Sequence, residues 1–352
     1  MKYPLVTIGV ALYNNRNYLA RCLHSIVEQK YENIEILIID DGSTDNPENI
    51  IAEFLSDLRI HYIRQENGGL SSGRQHALNV ASGDYMCFID ADDYLEKNYV
   101  SDFVNRLEYA NADIAICGTR FVDSNDVELE ALANGYSYHN EADMISITKE
   151  MLVNQYSHLL EIYFMSDSWN KMYRTEFLKN SGVGFELKKG FNGSDLAFNH
   201  KVLLHLPKVV MLKQRNYVHV IYANSAVHRR KKGLHDGLEI IFEQLISETQ
   251  KLGMRDEIEA ELGAVYIGFL RYIIQDAKKE NESIKDFYKE LSMIKNRSEV
   301  FCAKNNLSVF AANTHTKSMK WFKILYCKKN MIGLLVYLNT RDWLLRKTGK
   351  TH

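Results

Sequence analysis

Four short stretches hold the residue types from which cation, phosphate and proton chemistry is built. At residues 87–94, CFIDADDY sets Asp90, Asp92 and Asp93 directly after an apolar run. Like charges this close repel, and burying carboxylates is costly. A solvated turn answers that cost, and so does a hard divalent ion. Mg2+ or Mn2+ takes oxygen ligands, commonly one or two carboxylates completed by phosphate and water. Asp-x-Asp at a strand end supplies such ligands and leaves positions open for a diphosphate, whose leaving oxygen the ion then stabilises. In IIDDGSTD (38–45), Asp41 follows a second apolar run, where a carboxylate accepts hydrogen bonds from a base or ribose. An ordinary strand-to-helix turn capped by Asp45 is equally compatible. NGGLSSGR (67–74) joins Gly68, Gly69 and Gly73, which permit close backbone approach, to Arg74. That arginine suits a diphosphate, or steadies the acidic cluster. Finally, Ser194 and Asp195 precede LAFNHKVLL, the position of a helix N-cap or of an acid at a helix start.

Such groups need rigid elements behind them. LVTIGVAL (5–12), IEILIID (34–40), RIHYIRQ (59–65) and DYMCFID (84–90) read as strands, mostly apolar and rich in β-branched residues. YNNRNYLARCLHSIVEQ (13–29) reads as an amphipathic helix with Leu19, Cys22, Leu23 and Ile26 on one face. NPENIIAEFLSD (46–57) is a second helix opened by Asp45 or Asn46, and SGRQHALNVAS (72–82) a third that begins near Ser71 or Ser72 and ends at Gly83. Alternation of this kind predicts an α/β fold, a mostly parallel sheet with helices on both faces. Ligands then bind at the carboxyl ends of the strands. DDGSTDN (40–46), ENGGLSSGR (66–74) and DADD (90–93) each follow a strand, so three polar clusters converge on one edge.

The whole-chain totals restrict the alternatives. With 352 residues and 46% hydrophobic content, the chain has room for one large domain or two smaller ones. A formal net charge of -2, and no recognised binding module, argue against nucleic acid as a partner. Five scattered cysteines without a CxxC spacing argue against a disulfide framework or structural zinc and suit a reducing compartment. No run approaches the roughly 20 apolar residues that span a bilayer. MIGLLVYL (331–338) comes nearest and is too short.

In order and at family spacing, VTIGVALYNNRNYLARCLHSIVEQKYENIEILIIDDGSTD and NGGLSSGRQHALNVASGDYMCFIDADDYL resemble the nucleotide-binding half of family 2 glycosyltransferases, from Leu5 to Leu95. The resemblance implies a GT-A fold, a Rossmann-like and mostly parallel central sheet with a C-terminal helical extension. It implies an inverting, metal-dependent enzyme that uses a UDP-sugar with Mn2+ or Mg2+. By the same resemblance Ala11 and Tyr13 lie along the uracil or ribose and Asp41 binds the base. Asn67 belongs to the donor loop, and Arg74 sits near the diphosphate. Asp90, Ala91 and Asp92 form the Asp-x-Asp, with ribose and metal duties divided among Asp90, Asp92 and Asp93. Ala11 stands where the family usually has proline, which alters loop stiffness more than chemistry.

More weakly, DSWNKMYRTEFLKNSGVGFELKKGFNGSDLAFNHKVLLHLPKVVML (167–212) looks like the acceptor half of capsule and lipopolysaccharide glycosyltransferases. The family's Glu-Asp is here Ser194-Asp195, which makes Asp195 the expected general base. NYVHVIYANSAVHRR (216–230) falls where relatives carry a basic loop over the donor phosphates. His219 or His228 is a candidate metal ligand, and Arg229 a phosphate contact. Trp169, Asn170 and Lys171 are expected on the acceptor side, with Trp169 either stacked on a sugar or buried.

From about 233 the sequence turns helical, with Gly253 separating two helices. Residues 317–352 then hold nine Lys or Arg against the single acid Asp342, with Trp321, Phe322, Tyr326, Tyr337 and Trp343 among them. Such a segment suits an anionic membrane surface, or packs as a helix with a solvated basic face. The expected organisation is therefore a catalytic domain over 1–230 (nucleotide-binding half 1–110, acceptor half 111–230), a helical region 231–300 and a basic aromatic tail 301–352. The expected acceptor is a surface polysaccharide or lipid-linked glycan, on the cytoplasmic face of the cell membrane. The helices after 233 dock on the domain, pair two chains or hold a partner. Two rival readings stay open. One is an inactive nucleotide-sugar-binding scaffold, kept alive by Ser194. The other is a sugar nucleotidyltransferase, disfavoured by YNNRNY after the first strand.

Overall fold

The computed structural model describes residues 3–129, 145–163, 167–185, 193–222, 234–280, 283–309, 312, 317–328, 330, 333–334 and 336–341. The four expected strands form side by side. β1 (Val6–Leu12) pairs in parallel with β2 (Ile34–Asp40) on one side and β4 (Tyr85–Asp90) on the other, and β2 pairs in parallel with β3 (Ile60–Arg64). Their apolar runs are buried on both faces, with Ile8, Val10, Ile36, Ile38, Cys87 and Ile89 wholly inaccessible. Burial is worth about 1.5–3 kcal/mol for a large apolar side chain, so the polar residues that follow hang from a stiff support. Register does the rest. Ala11 lies opposite Asp90 and Leu12 opposite Asp40, while Asp40 pairs with Arg64. The four parallel strands thus end together, and their last residues share one edge.

The helices between them are α1 (Arg16–Val27), α2 (Glu48–Ala52) and α3 (Leu70–Val80), followed by α4 (Tyr99–Ala110). Leu19, Cys22, Leu23 and Ile26 form the buried face of α1, as their spacing predicts. The second helix opens differently from expectation. Pro47 is its N-cap, and the carboxylate of Asp45 instead accepts a hydrogen bond from the backbone N–H of Arg16 at the start of α1 (2.9 Å). Proline carries the fixed φ that a helix start needs, which freed Asp45 for the neighbouring turn. α3 begins at Leu70, after Gly69 at φ 94°, a conformation that a side chain would strain.

Residues 112–123, ADIAICGTRFVD, form two strands in two sheets. β6 (Ile114–Ile116) joins the main sheet, and after the turn at Cys117–Gly118, β7 (Thr119–Asp123) enters a small three-stranded sheet ordered β5 (Tyr94–Leu95), β11 (Tyr217–Ile221), β7. Beyond β4 the main sheet continues through β9 (Lys171–Arg174), antiparallel to both β4 and β6. β10 (Lys208–Met211) is parallel to β6, and the edge strand β8 (Ile145–Ser146) is antiparallel to β10. Residues 1–147 and 166–230 make up this first compact unit, which also holds the helices α6 (Thr175–Ser181) and α7 (Ser194–Leu204).

The second unit, residues 148–165 and 231–352, is helical. It contains α5 (Lys149–Tyr163), α8 (Leu234–Lys251), α9 (Glu259–Glu280), α10 (Ile284–Lys304) and α11 (Lys317–Cys327). Gly253, at φ 64°, lies in the turn between α8 and α9. Tyr266 of α9 stacks on Phe301 of α10, with ring centroids 5.5 Å apart. Arg297 holds Glu239 through two 2.7 Å bonds. The start of the basic tail is ordered into α11, which buries Met319, Phe322 and Tyr326 and leaves Lys317, Lys320, Trp321 and Ile324 exposed, with Lys328 exposed directly after it. Residues 342–352, with Trp343, Arg346, Lys347 and Lys350, lie outside the described residues. Among the described residues, no helix is long and apolar enough to cross a membrane.

Candidate active site

The site forms where β1, β2 and β4 end. After β2, Asp41 is 2% exposed and its carboxylate organises the glycine loop. Oδ1 accepts from the N–H of Gly68 (2.9 Å) and from Gln65 Nε2 (2.7 Å), and Oδ2 accepts from the N–H of Gly69 (2.7 Å). Asn67 closes the arrangement by donating to the Asp41 carbonyl (2.9 Å). A Cβ on Gly68 would fall 2.5 Å from Ser72 Oγ, which is why the loop needs glycine there. Ala11 is 6% exposed, whereas Tyr13, just beyond β1, is 46% exposed and presents its ring to solvent. The neighbouring Asp40 is inward-facing and structural. Its oxygens accept from Ser43 N–H (2.8 Å) and Tyr62 Oη (2.8 Å).

After β4, the three acids of DADD separate into three environments. Asp90 is paired with Arg74, and its side chain is 22% exposed. Ala91, between Asp90 and Asp92, is fully buried. Asp93 is also fully buried, and it accepts from Tyr217 Oη (2.6 Å), His219 Nδ1 (2.9 Å) and the N–H of Val220 (2.9 Å). It fastens β11 to the strand end, and any ion reaching it would have to displace these bonds. Asp92 alone is uncommitted: among the described residues its carboxylate meets no donor beyond its own backbone N–H. Burial, with Asp93 and Asp90 beside it, pushes the Asp92 carboxyl up to about 7.

His219 sits against this cluster, with Nδ1 on Asp93 and its ring stacked on Trp169 at 5.3 Å. Burial works to lower its pKa, but Asp93 and then Asp90 and Asp92 outweigh it and raise the imidazole to about 9. A metal at Nε2 would therefore have to displace a proton. Trp169 is 5% exposed and stacked also on Tyr217 (4.5 Å), so it forms part of the core wall and no sugar platform. Asn170 and Lys171 are 1% exposed as well, and burial pushes the Lys171 ammonium down to about 8 against the opposing Asp167. His228 and Arg229 lie outside the described residues.

Asp195 enters from α7. Gly193, at φ 118°, occupies the N-cap position, and no side chain caps the helix. The carboxylate is thus not spent on a cap. It pairs with Arg74 Nη1, while Arg74 Nη2 pairs with Asp90. Burial pushes the Asp195 pKa up, Arg74 opposes this, and Asp90 and Asp167 add to the rise. One guanidinium, itself 1% exposed, therefore joins the Asp-x-Asp of the strand edge to the acid at the start of α7. Sequence reasoning missed Tyr217, which binds Asp93 and receives the Asp90 N–H (3.3 Å). The alternation in NYVHVIY puts Tyr217 and His219 on one strand face, and was the available signal.

The residues fit a hard divalent cation at Asp92, an oxygen donor with its ionised form held at a cost. Among the described residues, no three acidic, histidine or cysteine side chains form a cage by themselves. An ion held there would complete its shell with phosphate and water, the usual habit of Mg2+.

Residues 7–135 match the family described as Glycosyl transferase family 2. The glycosyltransferase GlyA of Streptococcus pneumoniae is 32% identical over 291 residues, covering 82% of this chain and 40% of GlyA. The uncharacterized glycosyltransferase EpsJ of Bacillus subtilis is 28% identical over 295 residues, 83% of each chain. Among solved structures, Staphylococcus aureus TarS 1–349 in complex with UDP-GlcNAc superposes with a TM-score of 0.71 at 17% identity, over 96% of this chain and 92% of that one. The likeness bears out the expected GT-A architecture. The chain spans well under half the length of GlyA, so it corresponds to only a portion of that relative.

Proposed function

We propose that this chain, which belongs to glycosyltransferase family 2, moves a hexose or N-acetylhexosamine from a UDP-sugar to a hydroxyl of a glycan acceptor, with inversion at the anomeric carbon. The observation that carries the reading is the bridge Asp90–Arg74–Asp195, which puts the donor-side acids and an uncapped helix-start acid in one site. In this reading Tyr13 and Ala11 flank the base and ribose, with Asp41 and Asn67 holding the loop that closes on them. Asp90 takes the ribose. Asp92 would hold Mn2+ or Mg2+, whose chemistry is to neutralise the diphosphate as it leaves. Asp93 and His219 fix the strand end and its charge. Asp195 accepts the proton of the acceptor hydroxyl, whose oxygen attacks the anomeric carbon from the face opposite UDP.

UDP-galactose, UDP-N-acetylglucosamine and UDP-glucose are the donors in question. A relative named as a poly(ribitol-phosphate) beta-N-acetylglucosaminyltransferase, 22% identical over 281 residues, makes UDP-N-acetylglucosamine the first to test. The acceptor is a growing surface polysaccharide or a lipid-linked glycan, reached at the inner face of the cell membrane, where the basic tail meets anionic lipid. A panel of the three donors with Mn2+, read by released UDP, tests the reading: release or transfer with one donor supports it. UDP binding with no turnover on any donor would favour a non-catalytic scaffold, the reading that Ser194 in place of the family's glutamate motivates.

A further inference from the structure

We infer that Arg74 is a positioning residue for Asp195: its guanidinium fixes the proposed base relative to donor-side Asp90 and does not itself take the donor phosphates. The inference rests on the reading of Asp195 as base. Three observations lead to it. First, Arg74 is 1% exposed, beneath the site rather than lining it. Its neighbour Gly73 lies against Ala11 and Ile39, where a Cβ would come within 3.8 Å of each, so α3 is pressed onto β1 and β2 and carries the arginine inward. A phosphate would have to dislodge one of the two carboxylates to reach it.

Second, the fork is fully assigned. Nη1 goes to Asp195 and Nη2 to Asp90, while the buried Nε has no hydrogen-bond partner among the described residues. Both acids use Oδ1 for the arginine, and both remain about a fifth exposed, at 20% for Asp195 and 22% for Asp90. The second oxygen of each has no hydrogen-bond partner among the described residues, and is the one left for a substrate. Arg74 thereby sets the direction in which Asp195 presents its reactive oxygen.

Third, the charges require it. Asp195 must be ionised to accept a proton, yet burial, Asp90 and Asp167 all favour its protonated form. Arg74 is the cation that opposes them. Only arginine can do this for two acids at once, because its planar fork spans both while a lysine ammonium is a single point. The same link ties the base to the carboxylate assigned to the donor ribose, so the two halves of the reaction share one strut.

The test is a double-mutant cycle on turnover in the donor assay, using Arg74→Gln, Asp195→Asn and the combined variant, with Arg74→Lys alongside. If Arg74 acts through Asp195, Arg74→Gln lowers kcat by roughly 100-fold or more, the scale of losing a general base, with a smaller change in donor KM. The combined variant is then no slower than Asp195→Asn alone, and Arg74→Lys restores part of kcat. Losses that multiply in the combined variant, or a raised donor KM with kcat kept, would overturn the inference and make Arg74 a phosphate ligand. Thermal unfolding of each variant checks folding. Should Arg74→Gln fail to fold, Arg74→Lys, which keeps the buried charge, carries the same cycle. Wild-type turnover by Asp195→Asn would remove the base assignment and this inference together, whereas multiplied losses remove the inference alone.

Discussion

Replacing Asp92 with asparagine should make the ligand-free protein more stable while abolishing its activity. The carboxyl ordinarily titrates at 3.8, but burial and the charges of Asp93 and Asp90 raise it to about 7 in the folded chain. The folded state therefore holds this proton more tightly than the unfolded chain does. Stability accordingly falls as pH rises from about 4 to about 7, and the loss is complete above that window. A shift of about three units at about 1.4 kcal/mol each sets a ceiling near 4 kcal/mol. Partial access to solvent screens the neighbouring charges, which leaves about 1–3 kcal/mol to be gained by Asp92→Asn at about pH 8. For a unit of this size, that gain raises Tm by roughly 3–10 °C. Thermal unfolding without divalent ions at about pH 8 and again near pH 4 measures it, with the gain expected at the first and absent at the second. Adding Mn2+ should then raise the Tm of the wild type and leave the variant nearly unmoved. An unchanged or lower Tm for the variant at the higher pH, or an equal gain at both, would refute the reasoning.

Other predictions concern residues with different work. Asp93→Asn should cost about 3–5 kcal/mol in urea unfolding, because it leaves a buried site facing Tyr217, His219 and the Val220 N–H without its charge. A variant as stable as the wild type would contradict the structural role given to Asp93. Gly69→Ala, at φ 94°, should cost about 1–2 kcal/mol and weaken UDP binding in calorimetry; unaltered affinity would show that the loop does not shape the donor site. The exposed stripe of α11, with Trp321 61% accessible beside Lys317, Lys320 and Lys328, should bring the protein up with phosphatidylglycerol vesicles in flotation and not with phosphatidylcholine. Lys320→Glu with Lys328→Glu should abolish this, and flotation that survives both changes and high salt would argue against the electrostatic attachment.

The four parallel strands and the helices between them were legible because their signals are local. β-branched apolar runs, helical spacing such as Leu19, Cys22, Leu23 and Ile26, and polar clusters after each strand all lie within short windows. What escaped reading depends on contacts between distant segments. The split of 112–123 into β6 and β7 is decided by different partners, β9 and β10 for one and β11 for the other. The division of labour among Asp90, Asp92 and Asp93 is decided by Arg74, by Tyr217 and by what Asp92 lacks, none of which adjoins DADD in sequence. Arg74 itself was expected toward the diphosphate or the acids, and only the approach of α7 shows which atoms it meets. Asp195 was open to being a cap until Gly193 took that position.

The central claim is that Asp195 removes the acceptor proton. The most direct test is turnover by Asp195→Asn under saturating donor and acceptor, with UDP affinity measured on the same preparation. The account predicts UDP affinity within a few-fold of wild type and kcat lower by roughly 100- to 10,000-fold. Wild-type turnover by a folded Asp195→Asn protein would contradict it.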